Sequence, residues 1–455
     1  MNFGSIFNFK SILLGLAVFA VIIALLGFSG KIPIFNSSTT QKLSGTIKVW
    51  GTIPADSMSD FTDSFNKTAK SYAMNYTEVP YDQINSKLVN AIADGVGPDL
   101  IIAPSDILFA NISRIYPVNT TTIPESTFRN DFIDESSLLI DMPYGYLGLP
   151  ISVDPLVLYY NRDILSTNGF SSAPKTWGDL YTYNSKITKK DSSGNLFLST
   201  IAFGTYDNIP HMSDIILAII LQQGQSPVSV SYGSGGAPKY NVLVDESVNS
   251  DGISPLNSVL SFTKDFSDTQ KKTYNWNAKS DNALDQFVSG NLAFYIGYAS
   301  EASYIKSANQ KLYFDYTILP QVDGSKMSAT YGKMYTIFML RTSPDAVIGE
   351  KSLSYQVICS LALGTGDITR HLVSVAGGVS TLKSNIAADI SSGDQGAEVF
   401  GQSALISKGF YDLHRRDLDS LMREAIRKVY NGESSTVEAS SAFSDALQSV
   451  YDGQN

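Results

Sequence analysis

The sequence predicts an α/β protein built around a parallel β-sheet. Three strand-like segments, "TIKVWG", "YAMNYTEVP" and "PDLIIAP", alternate with two helix-like segments between Thr46 and Pro104. Strands that alternate with helices at this spacing are typical of β–α–β units, whose strands run parallel. With 455 residues, the chain is long enough for two or three domains.

The two helices between these strands are predicted from the spacing of their apolar residues. In the first, Asp56 is the expected N-cap, and apolar residues recur at helical intervals at Met58, Phe61, Phe65 and Tyr72. In the second, Gly95 ends the helix, and one face carries Ile84, Leu88, Val89 and Ile92. We expect both helices to pack against the sheet.

The remainder of the chain predicts more helices and one hairpin. "TWGDLYTYNSKIT" and "HMSDIILAIILQQG" have helical patterns, and Trp177 is expected to anchor the first by packing. Turn signals between two alternating segments in "SPVSVSYGSGGAPKYNVLVDES" predict a surface hairpin. The C-terminal residues predict two amphipathic helices that meet at Asn431-Gly432.

The N-terminal region contains an uncharged stretch, "SILLGLAVFAVIIALLGFSG", between Lys10 and Lys31. As a helix, twenty residues span about 30 Å, the thickness of a bilayer's hydrocarbon core. Secretory signals usually have a shorter apolar run and a small-residue cleavage site. We therefore expect residues 1–31 to form an N-terminal transmembrane helix with an extracytoplasmic body, or a secreted body if the segment is cleaved. Residues 32–45 are predicted to be a linker.

Composition and charge narrow the class of function. The formal net charge is −10 and the pI is near 4.9, which argues against a nucleic-acid partner. Cys359 is the single cysteine and lies in an apolar helical pattern, so no disulfide can form within the chain. Hydrophobic residues make up 43% of the chain, which indicates a packed globular body.

Catalytic patterns are not evident in the sequence. Its three histidines, His211, His371 and His414, are far apart and do not have zinc-site spacing. The glycine-rich spots do not match a phosphate-binding loop, and no nucleophile-elbow motif occurs. We therefore expect a protein that is not an enzyme and has no cofactor or metal. The 25 tyrosines and 23 phenylalanines instead suit a cleft in which aromatic faces and carboxylates hold a sugar or similar polar molecule.

The order of segments resembles the extracellular solute-binding proteins of ABC importers, specifically the family-1 group that includes maltose-binding protein. The resemblance covers nearly the whole chain after Gly45 and depends on eight motifs in the right order rather than on one alone. The segments that carry it are "TIKVWG", "YDQINSKLVNAIADGVGPDLIIAPSDILFANISRIYPVN", "LGLPISVDPLVLYYNRDIL", "APKTWGDLYTYNSKIT", "FVSGNLAFYIGYASEASYI", "FDYTILPQVDGSKMSATYGKMYTIF", "SVAGGVSTLKSN" and "RKVYNGESSTVEASSAFSDAL".

This resemblance implies a class II periplasmic-binding-protein-like fold, in which two α/β lobes are joined by hinge strands and close on a solute. The expected boundaries are 46–153 with about 329–375 for the first lobe and 154–328 with about 376–455 for the second. It also implies a monomer that works with ABC permease subunits encoded as other chains.

Asp154 is the first candidate ligand contact, because it interrupts the apolar segment "LGLPISVDPLVLYYNRDIL". The resemblance places this segment at the crossing between lobes, where the residue at position 154 faces the cleft. There it could accept hydrogen bonds from solute hydroxyls or pair with a cation. The alternatives are a carboxylate that caps a neighbouring helix and a solvated hinge residue. Pro155 departs from the family pattern and is expected to stiffen the hinge.

Other candidates come from strand ends and from the same resemblance. Ser105 and Asp106 follow the third strand, where open α/β sheets bind ligands, although Asp106 could instead be a helix N-cap. Tyr298 stands where many relatives carry a tryptophan. The remaining candidates are Trp50, Trp276, Glu301 and Tyr331.

The sequence therefore favours a membrane-tethered receptor that delivers a small polar solute, most simply a saccharide, to an ABC importer. Asp106, Asp154 and Glu301 would also suit a cationic solute. The alternative is a surface sensor or glycan-binding protein of the same fold without a transport role. A hydrolase is a third possibility, which would require a carboxylate pair about 5–9 Å apart in the cleft.

Overall fold

The fold is described from a computed structural model, which defines residues 44–141, 145–232, 238–246, 252–325 and 327–453. The predicted membrane anchor and almost all of the predicted linker lie outside these residues. Within the described ranges, none of the helices combines the length and the apolar character needed to cross a bilayer.

The strands are numbered in chain order. They are β1 (Gly45–Gly51), β2 (Tyr72–Glu78), β3 (Leu100–Pro104), β4 (Ile115–Tyr116), β5 (Ile140–Asp141), β6 (Gly145–Tyr146), β7 (Leu149–Asn161), β8 (Lys189–Lys190), β9 (Leu196–Ile201), β10 (Val228–Tyr232), β11 (Pro238–Val242), β12 (Leu292–Tyr298), β13 (Phe314–Ile318), β14 (Thr330–Leu340), β15 (Val379–Ser380) and β16 (Ser407–Lys408).

The α-helices follow the same convention, and short 3₁₀ turns such as Ala299–Glu301 lie between some of them. They are α1 (Ala55–Ala69), α2 (Ile84–Ala93), α3 (Ser105–Phe109), α4 (Glu125–Asp131), α5 (Arg162–Thr167), α6 (Asp179–Ile187), α7 (Met212–Gln222), α8 (Pro255–Lys264), α9 (Ala283–Val288), α10 (Ala302–Ala308), α11 (Pro344–Ile348), α12 (Leu353–Leu363), α13 (Asp367–Ala376), α14 (Lys383–Ile390), α15 (Gln395–Leu405), α16 (Arg415–Asn431) and α17 (Thr436–Asp452).

The predicted β–α–β–α–β start of the fold is confirmed. β1 pairs in parallel with β3, β2 lies on the other side of β1, and α1 and α2 connect them. The predicted N-cap at Asp56 is wrong, because Pro54 takes the N-cap position and Asp56 lies in the first turn of α1. A carboxylate in the first turn still interacts favourably with the helix dipole.

A twelve-stranded sheet runs through the body of the protein, with the main order β2-β1-β3-β14-β7-β12-β9-β8. Its two central strands, β7 and β14, are the longest, and they pair antiparallel. The register places Asp154 of β7 directly opposite Lys333 of β14. Directly opposed residues of a strand pair project from the same face, so both side chains lie on one side of the crossing.

Two large hydrophobic cores lie at opposite ends of this strand pair. One core contains buried residues between Ile47 and Ile151 and between Met334 and Leu382. The other contains buried residues between Leu156 and Tyr331 and between Phe410 and Tyr451. We call the elements around these cores the first and second lobes. β7 and β14 contribute to both cores and therefore connect the lobes; the exact lobe boundaries stay a prediction.

Several later elements also match the sequence pattern. Every residue of α7 is buried, which explains why this helix is apolar all round. β10 and β11 form the predicted antiparallel pair. α16 ends at Gly432, whose φ of +73° gives the left-handed C-cap that favours glycine. Trp177 is 4% exposed, and its indole N–H donates to Gln222 Oε1 at 2.7 Å, as expected for a packing anchor.

Candidate functional site

A cavity of about 470 Å³ lies where β7 and β14 cross from one lobe to the other. The first lobe contributes Ser105 and Asp106 from the start of α3, at the carboxyl end of β3. The second lobe contributes side chains near the start of α7, the end of β12 and the start of α16. Residues that are far apart in sequence therefore meet in one cavity between the lobes.

Asp154 lines this cavity at the crossing itself. Its Oδ1 accepts a hydrogen bond of 3.0 Å from the backbone N–H of Ser300, in the 3₁₀ turn that precedes α10. Asp154 thus satisfies a backbone donor at a turn and also borders the cavity, and its role as a ligand contact stays a prediction. Burial raises the pKa of Asp154 to about 6, against the lowering effect of the Ser300 hydrogen bond.

Asp106 borders the cavity from the first lobe. It is not the N-cap of α3, because Pro104 occupies that position. Its Oδ2 instead accepts a short hydrogen bond from the hydroxyl of Tyr81. Burial raises the pKa of Asp106, although the Tyr81 hydroxyl and the charges of Arg415 and Lys333 act in the opposite direction.

Arg415, the first residue of α16, organises the acidic groups of the second lobe. Its Nη2 lies 2.6 Å from Asp214 Oδ1, and its Nε lies 3.0 Å from Asp419 Oδ2. Its Nη1 lies 3.5 Å from Asp412 Oδ2 and donates to the Tyr331 hydroxyl at 3.3 Å. We call Arg415 and these four partners, together with Tyr298, the Arg415 cluster.

Charge pairing in the Arg415 cluster reverses the usual effect of burial. Burial alone would raise the pKa of Asp214, but the charges of Arg415 and His211 and the hydrogen bonds from Arg415 and Tyr298 together hold it below its ordinary value. The Tyr298 hydroxyl also donates to Asp214 Oδ2 at 2.7 Å. Burial would lower the pKa of Arg415, yet its carboxylate neighbours hold it well above the ordinary value. Both groups are therefore charged at neutral pH.

His211 and Glu301 form a second polar pair that lines the cavity. His211 Nε2 lies 2.5 Å from Glu301 Oε1, and the Tyr295 hydroxyl donates to Glu301 Oε2 at 2.7 Å. Burial would lower the pKa of His211, but the hydrogen bond to Glu301 and the charges of Glu301 and Asp214 together raise it. His211 also has a φ of +59°, a conformation that non-glycine residues rarely adopt outside turns and functional sites.

Two further carboxyl groups at the cavity are deeply buried. Asp412 is 4% exposed, and neither of its carboxylate oxygens accepts a hydrogen bond. Glu135 is 3% exposed, and its Oε2 has no hydrogen-bond partner. Burial raises the pKa of Asp412 to about 7 and that of Glu135 to about 8. The cavity therefore contains more carboxyl groups than its basic side chains neutralise.

The structure brings six of the eight predicted site residues to this cavity. They are Ser105, Asp106, Asp154, Tyr298, Glu301 and Tyr331. Trp50 is partly buried, packs against the first core and does not line the cavity. Trp276 is 1% exposed within the second core, where its indole N–H donates to Thr205 Oγ1 at 3.1 Å, so it is not a cleft wall.

Sequence reasoning missed much of the second lobe's contribution. His211 and Asp214 stand at the start of the most apolar helix, which was a usable signal because polar residues in a buried helix need partners. Arg415 stands at the N-terminus of α16, where a cation opposes the helix dipole unless acidic groups surround it. No group of three or more potential metal ligands was found within the described ranges.

Comparison with known proteins agrees with this architecture. A model of the bacterial extracellular solute-binding protein family matches residues 60–350, well over half of the chain. The chain belongs to this family. A binding protein of Brucella abortus is 23% identical over 189 residues, which are 40% of this chain, and the chain spans 44% of that relative's length.

Solved structures of sugar-binding proteins have the same fold. The sugar-binding protein MalE of Xanthomonas citri is 16% identical, with a TM-score of 0.69 over 90% of this chain and 98% of its own. An ABC substrate-binding protein of Listeria monocytogenes in complex with cycloalternan is 14% identical, with a TM-score of 0.64 over 90% of this chain and 99% of its own. At these identities the likeness establishes the two-lobe fold, while the solute is a separate question.

Proposed function

We propose that this protein is the solute receptor of an ABC importer and binds a small polar solute, most simply a saccharide, in the cavity between its lobes. The observation that carries the proposal is the position of the cavity. It lies at the crossing of β7 and β14 and is lined by polar and aromatic side chains from both lobes. A ligand that contacts both lobes favours the closed arrangement by the contacts it gains there.

The chemistry of the lining supports a hydroxylated solute. Tyr298 and Tyr331 place aromatic side chains in the lining beside hydrogen-bonding groups, and Asp154 and Glu301 are strong acceptors for hydroxyl donors. The structural relatives from Xanthomonas citri and Listeria monocytogenes are, respectively, a sugar-binding protein and a complex with cycloalternan. We assign the solute contacts to the six predicted residues that line the cavity.

Membrane attachment and partners belong to the same proposal. The uncharged residues 11–30 would tether the extracytoplasmic body to the cell membrane, close to the permease subunits that receive the solute. The receptor would act as a monomer. Tethering raises the local concentration of the receptor at its permease, because the two are confined to one surface.

Thermal unfolding of the purified full chain with a panel of mono- and oligosaccharides tests the binding function. A ligand at 100 times its Kd should stabilise the protein by about 2.7 kcal/mol, which raises Tm by a few degrees. The variant Ser105→Ala should weaken this stabilisation, and Ser64→Ala on α1, which does not line the cavity, should retain it. A saccharide that stabilises both variants and the unmodified chain equally would place its binding site elsewhere.

The transport role is tested separately from binding. Cells that lack the gene should lose uptake of the radiolabelled saccharide that stabilises the protein, and the unmodified gene should restore it. Normal uptake in the deletion strain, despite strong binding in vitro, would instead support the surface sensor or glycan-binding alternative.

A further inference from the structure

The carboxyl groups that line the cavity outnumber its basic side chains, and this excess indicates which kind of solute the cavity would bind. Seven carboxyl side chains line the cavity, against four basic side chains. Three of these carboxyl groups, Asp214, Asp412 and Asp419, share the single charge of Arg415. Even with every basic group protonated, the described lining carries an excess of acidic groups.

Three lining carboxyl groups, Glu135, Asp106 and Asp154, are without a basic contact within 4.0 Å in the described part of the chain. Glu135 is 3% exposed, whereas Asp106 and Asp154 are only partly buried. Asp106 and Asp154 each accept a hydrogen bond from a neutral donor, the Tyr81 hydroxyl and the Ser300 backbone N–H respectively. Among the described residues, neither has a lysine, arginine or histidine nitrogen within 4.0 Å. By contrast, Asp214 contacts Arg415 and Glu301 contacts His211. The partly buried acceptors that form no ion pair within the described ranges thus come from the first lobe and from the crossing strand.

Asp412 gives an independent indication of the same excess. It is 4% exposed, lines the cavity and accepts no hydrogen bond on either oxygen, while Arg415 Nη1 lies 3.5 Å away and is also engaged by Tyr331. A buried carboxylate without hydrogen bonds is costly unless a positive charge or a proton compensates it. A positively charged group in the cavity would supply that compensation.

We propose that the solute carries a protonated amine on a hydroxylated frame, as an amino sugar does, and that Asp106 and Asp154 hold its ammonium group. This inference rests on the proposed receptor function and specifies its solute. The cavity volume of about 470 Å³ suits a small organic molecule. Its tyrosine rings suit a cation as well as a sugar face, since Lys333 Nζ already lies 5.9 Å from the centre of the Tyr81 ring.

Lys333 provides the opposing charge that makes the test specific. It is exposed, lines the cavity and stands directly opposite Asp154 in the strand register. It forms no ion pair within 4.0 Å in the described part of the chain. A cationic solute would be repelled by Lys333, whereas a neutral saccharide would gain a hydrogen-bond donor from it.

The experiment compares matched pairs of compounds that differ in one ammonium group. Calorimetric titration of the full chain at pH 7.5 would use glucosamine against glucose and N-acetylglucosamine, galactosamine against galactose, and spermidine as an amine without a sugar ring. We expect an amino sugar to bind at least about tenfold more tightly than its neutral partners.

Two variants should then change the affinity for the amino sugar in opposite directions. Asp154→Asn should weaken binding about tenfold, and Lys333→Met should strengthen it several-fold, because they remove an attraction and a repulsion respectively. Asp63→Asn, an exposed position on α1 outside the cavity, should leave the affinity unchanged. Circular dichroism of each variant checks that the fold is intact.

The outcomes separate this inference from the receptor proposal. Neutral sugars that bind as tightly as their amino partners, or a Lys333→Met variant that loses amino-sugar affinity, would overturn the cationic solute and leave the receptor function intact. If spermidine binds more tightly than every amino sugar, the inference that the solute has a hydroxylated frame is wrong. If neither the amines nor the neutral saccharides bind, both the proposed saccharide receptor function and the cationic solute are wrong for these classes of compound.

Discussion

Asp214 and Asp154 line the same cavity but have opposite electrostatic surroundings. Asp214 contacts Arg415 and accepts a hydrogen bond from Tyr298, so its pKa lies below the ordinary value despite deep burial. Asp154 accepts one backbone hydrogen bond, and burial raises its pKa to about 6. Burial alone therefore does not set the charge of a cleft carboxylate. Asp214 forms an ion pair with Arg415 and has a structural role, whereas Asp154 has no ion pair among the described residues and remains available to a solute.

Removing the cation from the Arg415 cluster should produce the largest change. The substitution Arg415→Met leaves Asp214, which is 5% exposed, without its counter-ion. Breaking a buried pair in this way typically costs about 3–5 kcal/mol of folding free energy. Urea unfolding at pH 7.5 measures the loss.

The matched control is Arg427→Met, on the same helix. Arg427 contacts Glu424 and Glu433 at the surface, and its side chain is 44% exposed. Exposed pairs contribute about 0–1 kcal/mol, so this variant should remain close to the unmodified chain. Equal losses in the two variants would show that Asp214 does not depend on Arg415 for its charge.

These long-range pairs also show which parts of the structure the sequence could predict. The strands and helices of the first lobe follow from local apolar spacing, and the position of Ser105 and Asp106 follows from the carboxyl end of β3. Asp214 and Arg415 are 201 positions apart, and local patterns do not show that they meet. Asp154 was an informative signal because it is a charged residue within an apolar strand that is buried on both sides of it.

Aromatic candidates were the less predictable part of the site. Trp50 and Trp276 stand next to strand or helix ends, as cleft-lining residues do, but one packs on the first core and the other is enclosed in the second. An indole has a large apolar surface and one N–H donor, so a buried partner such as Thr205 satisfies it as well as a ligand would. Sequence position alone does not separate these outcomes.

The backbone that holds Asp154 can be tested at Gly378. A Cβ atom at this position would lie 2.3 Å from the Val153 carbonyl oxygen, and Gly378 has a φ of +79°. We expect Gly378→Ala to destabilise the protein by about 3 kcal/mol, because both the clash and the left-handed backbone oppose it. Urea unfolding measures the change.

Gly393→Ala separates the two causes. Gly393 also has a φ of +79°, but a Cβ there meets no atom within 4 Å. This control should lose only about 1 kcal/mol, from backbone strain alone. A loss at Gly378 no greater than at Gly393 would indicate that the crossing next to Asp154 relaxes easily and does not position this carboxylate rigidly.

Glu135 is a third carboxyl group to compare with Asp214 and Asp154, and it forms no ion pair within the described residues. Burial raises its folded-state pKa to about 8, above the value near 4.3 expected when unfolded. The folded state therefore binds the proton more tightly, and stability should fall as pH rises from about 4.5 through 8. The full shift corresponds to roughly 5 kcal/mol, and relaxation around the buried charge should reduce this to about 2–3 kcal/mol.

The substitution Glu135→Gln should remove this part of the pH dependence. Relative to the unmodified chain, the variant should gain about 2–3 kcal/mol between pH 5 and pH 9, as measured by urea unfolding. Glu125→Gln is the control, because the Glu125 side chain is 37% exposed and pairs with Arg129 at the surface. A parallel pH profile for Glu135→Gln and the unmodified chain would show that Glu135 is ionised at ordinary pH.

The smallest expected effect returns to Asp214 and removes its neutral partner. Tyr298→Phe deletes the hydroxyl that donates to Asp214 Oδ2, while Arg415 remains 2.6 Å from Oδ1. A hydrogen bond to a charged group contributes about 1.5–3 kcal/mol, and the remaining ion pair should limit the loss to about 1–2 kcal/mol. Tyr304→Phe, at a ring that is 54% exposed, should change stability very little. If Tyr298→Phe instead costs as much as Arg415→Met, hydrogen bonding rather than the arginine charge keeps Asp214 ionised. The contrast between Asp214 and Asp154 would then reflect the number of their hydrogen-bond donors, and the lack of an ion pair at Asp154 in the described part of the chain would no longer indicate a charged solute.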